Sequence, residues 1–322
     1  MRFLMVGGTK FIGPYVVRQL LERGHEVTVY HRGQTEASLP AAVRHIRSPQ
    51  AAIPVLSFPQ EVLAEAFDVV VHMIAMGEPD ARAAVAAFRG RVGRLVVLSS
   101  GDVYRAYGRF TGLEPGPLEA VPLHEGSALR NVLFPYREKA ASRADWAYSY
   151  EKILVEREVM GDPDLPGTVL RLPKVYGPGG NADLGTVYSM RNRPHWRWTH
   201  GYVENVAAAI VLAATVPEAA GRIYNVGEEH TPTVGERLAG LPPSPVPSGE
   251  NREYDFAQDI WYDTGRIRNE LGYKEIVTYE EGLRRTLGEG KITTKDAEDH
   301  EGNPKGDNHK GHEGSQRKTE RR

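Results

Sequence analysis

A doubly wound α/β fold is what this chain of 322 residues predicts, on three observations. Strand-like runs alternate with helix-like runs through the N-terminal half. Those strand runs are apolar throughout rather than at every second residue, as in parallel strands covered on both faces. A glycine cluster stands between the first strand and the first helix, the turn at which such sheets hold phosphate.

Taken in order, "RFLMVGG" reads as a short buried strand bounded by glycines. "FIGPYVVRQLLERG" is helical: Phe11, Ile12, Val16, Val17, Leu20 and Leu21 form one apolar stripe, and Gly24 ends it. "HEVTVYHR", "AVRHIR", "FDVVVHMIA" and "GRLVVLSS" are the next four strands, with helical "EPDARAAVAAFRG" before the last of them. "RADWAYSYEKILVERE" reads as a helix and "GTVLRLP" as a sixth strand. From about Gly177 the pattern loosens. "HGYVENVAAAIVLAAT" is an amphipathic helix, "GRIYNVG" a strand, "LPPSPVPSG" an extended loop, and "TGRIRNELGY" and "YEEGLRRTLGEG" two short helices. The expected division is a nucleotide-binding domain over 1–176, a smaller substrate lobe over 177–289 with elements returning to the core, and a tail over 290–322. That tail holds too few apolar residues to offset the entropy of ordering and is expected to be disordered.

Composition narrows the function. Hydrophobic residues make up 40% and charged residues 25%, with a net charge of −2. That balance gives no footprint for nucleic acid or an anionic membrane. The absence of cysteine removes disulfides, thiolate catalysis and thiolate-bound metals. The histidines form no HExxH and no tight cluster with acids, so no metal site is expected. No apolar run reaches the length of a membrane span, and the N-terminus is too briefly apolar for a signal peptide, so a cytoplasmic location is expected.

The loop "MVGGTKFIG" (Gly7, Gly8, Thr9, Lys10, Phe11, Ile12, Gly13) is placed to cradle a pyrophosphate against a helix N-terminus. An acidic residue that takes the adenosine ribose normally ends the second strand. Here His31 and Arg32 stand there, and an arginine accommodates a 2′-phosphate. The expected cofactor is NAD(P), with NADP favoured over NAD.

A tyrosine titrates near pH 10, so acid–base work needs a cation beside it. On a helix that cation must lie three or four residues away. Tyr148 and Lys152 are four apart; Tyr150 has Leu154 at that offset and is set aside; Tyr136 has Lys139 three residues on, in a stretch of poor helical pattern. Ser99 and Ser100 end the fifth strand, where ligands sit in open α/β sheets.

With these residues in view, the chain resembles the extended short-chain dehydrogenase/reductase superfamily, in its NAD-dependent epimerase/dehydratase branch. "GGTKFIG", "DVVVHMIA", "SSGDVY", "YSYEK", "LRLPKVYGPG", "GYVENVAAAI" and "IYNVG" carry the resemblance over roughly Met1 to Gly288. It implies a Rossmann-type sheet, a small C-terminal substrate lobe and a homodimer. It implies Tyr148 as acid/base, Lys152 on the nicotinamide ribose and Ser100 as the substrate-orienting hydroxyl. It also implies Pro173 and Val175 beside the nicotinamide, and Ile74 and Ala75 near the pyrophosphate and ribose. The activity implied is epimerase, dehydratase or reductase chemistry on a hydroxyl or keto group of a small polar substrate such as a sugar derivative.

Two departures bear on the substrate. The stretch between Ser100 and Tyr148 is long and rich in Pro and Gly, as a loop closing over substrate would be. Nucleotide-sugar members carry a diphosphate-clamping arginine where this chain has Trp198, and the lobe before it, Gly179 to Arg193, is short. Arg191, Arg193 and Arg197 fit an anionic group or a solvated basic face equally; Trp196 and Trp198 read as lobe core. The alternative function is a binding protein on the same fold, either RNA-associated, as in the chloroplast stem-loop RNA-binding proteins that "GGTKFIG…VTVYHRG" also resembles, or dinucleotide-sensing.

Overall fold

A computed structural model describes residues 1–35, 39–49, 53–143, 145–249 and 254–289; the expectation for the 290–322 tail lies outside them. The strands are β1 (Arg2–Val6), β2 (Glu26–His31), β3 (Arg44–Arg47), β4 (Val69–His72), β5 (Arg94–Ser100), β6 (Gly167–Leu172), β7 (Lys174–Tyr176), β8 (His200–Tyr202) and β9 (Arg222–Asn225). The helices are α1 (Ile12–Glu22), α2 (Gln60–Leu63), α3 (Glu78–Phe88), α4 (Arg105–Phe110), α5 (Trp146–Ser149), α6 (Lys152–Met160), α7 (Gly185–Tyr188), α8 (Val203–Thr215), α9 (Val234–Ala239), α10 (Gly265–Leu271) and α11 (Tyr279–Glu289).

Seven strands pair in the order β3-β2-β1-β4-β5-β6-β9, every neighbour parallel. The chain runs outward from β1 to β3 and then returns to β4 on the other side of β1. Such a reversal opens a crevice beyond the carboxyl ends of β1 and β4, the usual ligand position. Valines and other apolar residues of these strands are buried on both faces. One face packs α1 and α8, with Val16, Val17 and Leu20 meeting Val206, Ala207 and Ile210. The other packs α3 and α6, with Ala81, Ala84 and Phe88 meeting Val155 and Val159.

Two details differ from the sequence expectation. "HGY" is not the start of a helix but strand β8, which pairs with β7 in a separate two-stranded sheet. The other is the helix expected over "RADWAYSYEKILVERE", which is broken at Tyr150 and Glu151. Glu151 is extended (φ −161°, ψ 98°), and its carboxylate caps α6 by accepting from the Ile153 N–H. The same carboxylate takes the Phe134 N–H at 2.5 Å and pairs with Arg130 at 3.1 Å, both side chains fully buried. The Glu151 N–H donates to the Met76 carbonyl at 2.9 Å. Ser149 is pressed so close to Gly77 that a Cβ there would lie 2.2 Å from the Ser149 oxygen. Five contacts, four of them with residues outside the segment, thus outweigh one turn of helix.

A third apolar cluster joins residues 103–153 to residues 190–262. Phe110 stacks on Trp196 at 4.8 Å, and the Trp196 indole donates to the Gln258 carbonyl at 2.8 Å, so Trp196 is core. No helix among the described residues is long and apolar enough to cross a membrane.

Candidate active site

The loop after β1 is built for close approach. Gly7 and Gly8 take φ of +82° and +95°, a region that favours glycine. At Gly13 an added Cβ would sit 2.2 Å from the Gly8 carbonyl oxygen, so loop and helix touch backbone to backbone. No side chain caps α1, which leaves the positive end of its dipole for an anion. This cradle fits the pyrophosphate of a dinucleotide. Gly7, Gly8, Thr9, Lys10, Phe11 and Ile12 line one cleft with His31, Arg32 and Ile74. The Thr9 and Thr35 hydroxyls, 2.8 Å apart, tie the loop to the segment after β2. Gly13→Ala is expected to weaken dinucleotide binding by at least ~10-fold, because α1 must shift to admit the methyl; calorimetric titration of the folded variant checks this.

At the end of β2, the Gly33 N–H donates to Nδ1 of His31 at 3.2 Å, and Nε2 of His31 lies 3.0 Å from Nδ1 of His45. An Nδ1 that accepts is unprotonated, so this His31 ring is neutral and offers Nε2–H to His45. Burial, His45 and Arg47 all hold the His31 pKa below its ordinary 6.5.

At the end of β5, Ser100 accepts from the Asp102 N–H at 3.3 Å. The residue that the structure sets against it is Tyr150. Its hydroxyl donates to Oδ2 of Asp102 at 2.9 Å, the same residue whose N–H Ser100 accepts. Burial first, and then Asp102, push the Tyr150 phenol well above 10. The Lys152 ammonium lies 5.5 Å from the centre of the Tyr150 ring and donates to the carbonyls of Ala75, at 2.5 Å, and Leu98, at 3.0 Å. Burial lowers Lys152 to about 8, against the opposing pull of Asp102, Asp80 and Glu156.

Tyr148 does not share a helix face with Lys152, because the chain breaks between them. Its ring lies instead beneath Arg137, whose guanidinium carbon is 4.8 Å from the ring centre. The offset argument that set Tyr150 aside assumed a continuous helix and fails for the same reason. Ser99 faces the other way, donating to Glu156 at 2.6 Å, and its neighbour in that network is Arg171. Ala75 is fully buried, and its carbonyl accepts from Lys152. Pro173 packs against Gly201 and Gly227, and Val175 pairs with Gly201 in the small sheet. Sequence reasoning set Tyr150 and Tyr136 aside and did not single out Asp102. "SSGDVY" offered Asp102 two residues after Ser100, but nothing in that spacing told a buried acid from a loop surface.

A model of the NAD dependent epimerase/dehydratase family matches residues 3–227. The chain belongs to this family. Among curated proteins, 2′-dehydrokanamycin reductase of Streptomyces kanamyceticus is 29% identical over 186 residues, which cover 57% of this chain and 45% of that protein. The match therefore spans a little under half the length of that relative. Among solved structures, UDP-glucose 4-epimerase of Thermotoga maritima superposes with a TM-score of 0.63 at 20% identity, covering 90% of this chain and 98% of that one. The UDP-glucose 4-epimerase of Thermus thermophilus, solved with NAD, gives 0.61 at 23% identity over 91% and 100%. At these identities the likeness is one of fold, and it matches the seven-stranded parallel sheet of this family member.

Proposed function

We propose that the protein is an NAD(P)-dependent oxidoreductase that reduces the keto carbon of a small sugar-like molecule, with Tyr150 as proton donor and Ser100 as the hydroxyl that orients the substrate oxygen. The observation that carries this reading is that Tyr150 and Ser100 both bond Asp102 at the carboxyl end of β5, with Lys152 beside the Tyr150 ring. A bound nicotinamide supplies the hydride; the protein's part is the proton. A phenol held well above 10 is protonated near neutral pH, the state from which a proton donor starts. Ser100 holds the carbonyl oxygen where the Tyr150 proton can reach it. The Lys152 cation beside the ring stabilises the phenolate left behind and would hold the nicotinamide ribose of a bound dinucleotide. The relative from Streptomyces kanamyceticus, named for reducing 2′-dehydrokanamycin, supports the direction and the sugar-like substrate.

Support for a substrate without a nucleotide diphosphate comes from the lobe arginines. Arg191 bonds the Tyr188 carbonyl at 2.8 Å and the Val246 carbonyl; Arg193 covers Phe256 at 4.8 Å; Arg197 lies 5.9 Å from the Trp261 ring. Each is engaged with its own part of the lobe. The test is reduction of 2′-dehydrokanamycin and of simpler keto sugars, followed by loss of nicotinamide absorbance. No oxidation of NADPH or NADH with any of them would remove the reading.

NADP is the preferred cofactor in this proposal. Arg32 and Lys10 line the cleft, His31 stands beside them, and none of these is an acid that would repel a 2′-phosphate. Arg32→Ala is expected to weaken NADPH binding by about 10-fold, the loss of one charge-assisted hydrogen bond, and to leave NADH binding unchanged. Equal weakening of both coenzymes in a titration would remove the preference.

A further inference from the structure

Asp102 is buried, 4% exposed, and sits two residues beyond Ser100. Its Oδ2 accepts from two phenols, Tyr150 at 2.9 Å and Tyr136 at 3.0 Å. Its Oδ1 is buried without a partner. The Tyr136 hydroxyl is 3.4 Å from that of Tyr107, and both of these residues, unlike Tyr150, reach the surface in part.

The cations around Asp102 are committed elsewhere. Arg130 pairs with Glu151 at 3.1 Å and bonds the backbone carbonyl of Asp102 rather than its carboxylate. Lys152 donates to Ala75 and Leu98. Tyr107, Tyr136, Tyr150 and Tyr262 complete the titratable groups that face it. An ionised carboxylate in such a place would leave one charged oxygen buried and unpaired, a costly state. A neutral acid with its proton on Oδ2 leaves only a carbonyl-type oxygen unpaired. That proton then donates to Tyr150, whose own hydroxyl turns to Ser100.

We propose that Asp102 is the proton reservoir of this site, neutral in the resting protein and hydrogen-bonded through Oδ2 to Tyr150. The role rests on the reductase reading above. When the Tyr150 O–H bond breaks and its proton passes to the reduced carbonyl oxygen, the O–H bond of Asp102 breaks in turn and restores the phenol. The carboxylate recovers a proton from water by way of Tyr136 and Tyr107. Asp102 acts through Tyr150 and is a positioning residue. Burial pushes its pKa up, with Arg130 the main opposing influence, the direction that favours the neutral acid.

The experiment is infrared difference spectroscopy of the protein alone near neutral pH. Wild type minus Asp102→Asn is expected to show the carbonyl band of a protonated carboxylic acid, fading as pH rises. In Tyr136→Phe and Tyr150→Phe, each of which removes one partner of Oδ2, that band is expected to shift. A difference spectrum holding only carboxylate bands overturns the proposal, as does a band that neither phenylalanine variant moves. Those two variants keep the proposal decidable if Asp102→Asn fails to fold. No coenzyme or substrate is present, so absence of turnover counts against the reductase reading without altering this result.

Discussion

Tyr150→Phe will lower kcat for keto-sugar reduction by about 10²- to 10⁴-fold, the range that general acid–base groups contribute. The variant keeps the ring, and with it the contacts to Tyr136 at 5.1 Å and Trp146 at 5.5 Å, so the fold and NADPH affinity are expected to stay near wild type. KM for the keto sugar should change little, because the lost hydroxyl is needed most as charge develops on the substrate oxygen. Tyr148→Phe is the companion measurement. A comparable loss confined to that variant, with Tyr150→Phe active, would return the proton to Tyr148. The pH profile of wild type gives a second check. Burial brings Lys152 down from 10.5 to about 8 in the free protein, so its ammonium is lost as pH rises through about 8. Activity that needs the cation falls on that alkaline side, and Tyr150→Phe does not move the limb in kcat/KM.

The difference between Tyr148 and Tyr150 shows which part of the site a sequence can carry. The sheet was legible because its strands are uninterrupted apolar runs, and a run such as "LVVLSS" has few alternatives once both faces must be buried. The phosphate loop was legible because the positive φ of Gly7 and Gly8 and the backbone contact at Gly13 leave room for almost no other residue. The Tyr–Lys pairing depended on helix periodicity, a local rule that a distant partner can overrule. Arg130 and Phe134 lie far from Glu151 in sequence, and their claim on its carboxylate ends α5 early. Glutamate is not among the favoured N-cap residues, so no local signal marked the break. The strand β8 was hidden in the same way: "HGY" becomes a strand only because β7 lies beside it.

The Arg130–Glu151 pair is therefore the next place to intervene. Glu151→Ala is expected to destabilise the protein by about 3–5 kcal/mol, the cost of leaving a buried charge without its partner. Both side chains are 0% exposed, so water cannot solvate the stranded guanidinium. The same change strips the N-cap of α6 and the acceptor for the Phe134 N–H, which places the expected loss at the upper end of that range. A denaturant titration with unchanged slope and a lowered midpoint checks it. Glu151→Gln separates the contributions: the amide oxygen still caps the Ile153 N–H, but the charge on Arg130 is unanswered. It should fall between wild type and the alanine variant. Arg130→Met combined with Glu151→Leu removes both charges and should recover part of the stability. If α5 and α6 are held apart by this pair, the recovered double variant will still lose activity, since Tyr150 is then no longer held against Asp102. Full activity in that stable double variant would mean that the break at Tyr150 is set by the close contact of Ser149 with Gly77 and not by the ion pair.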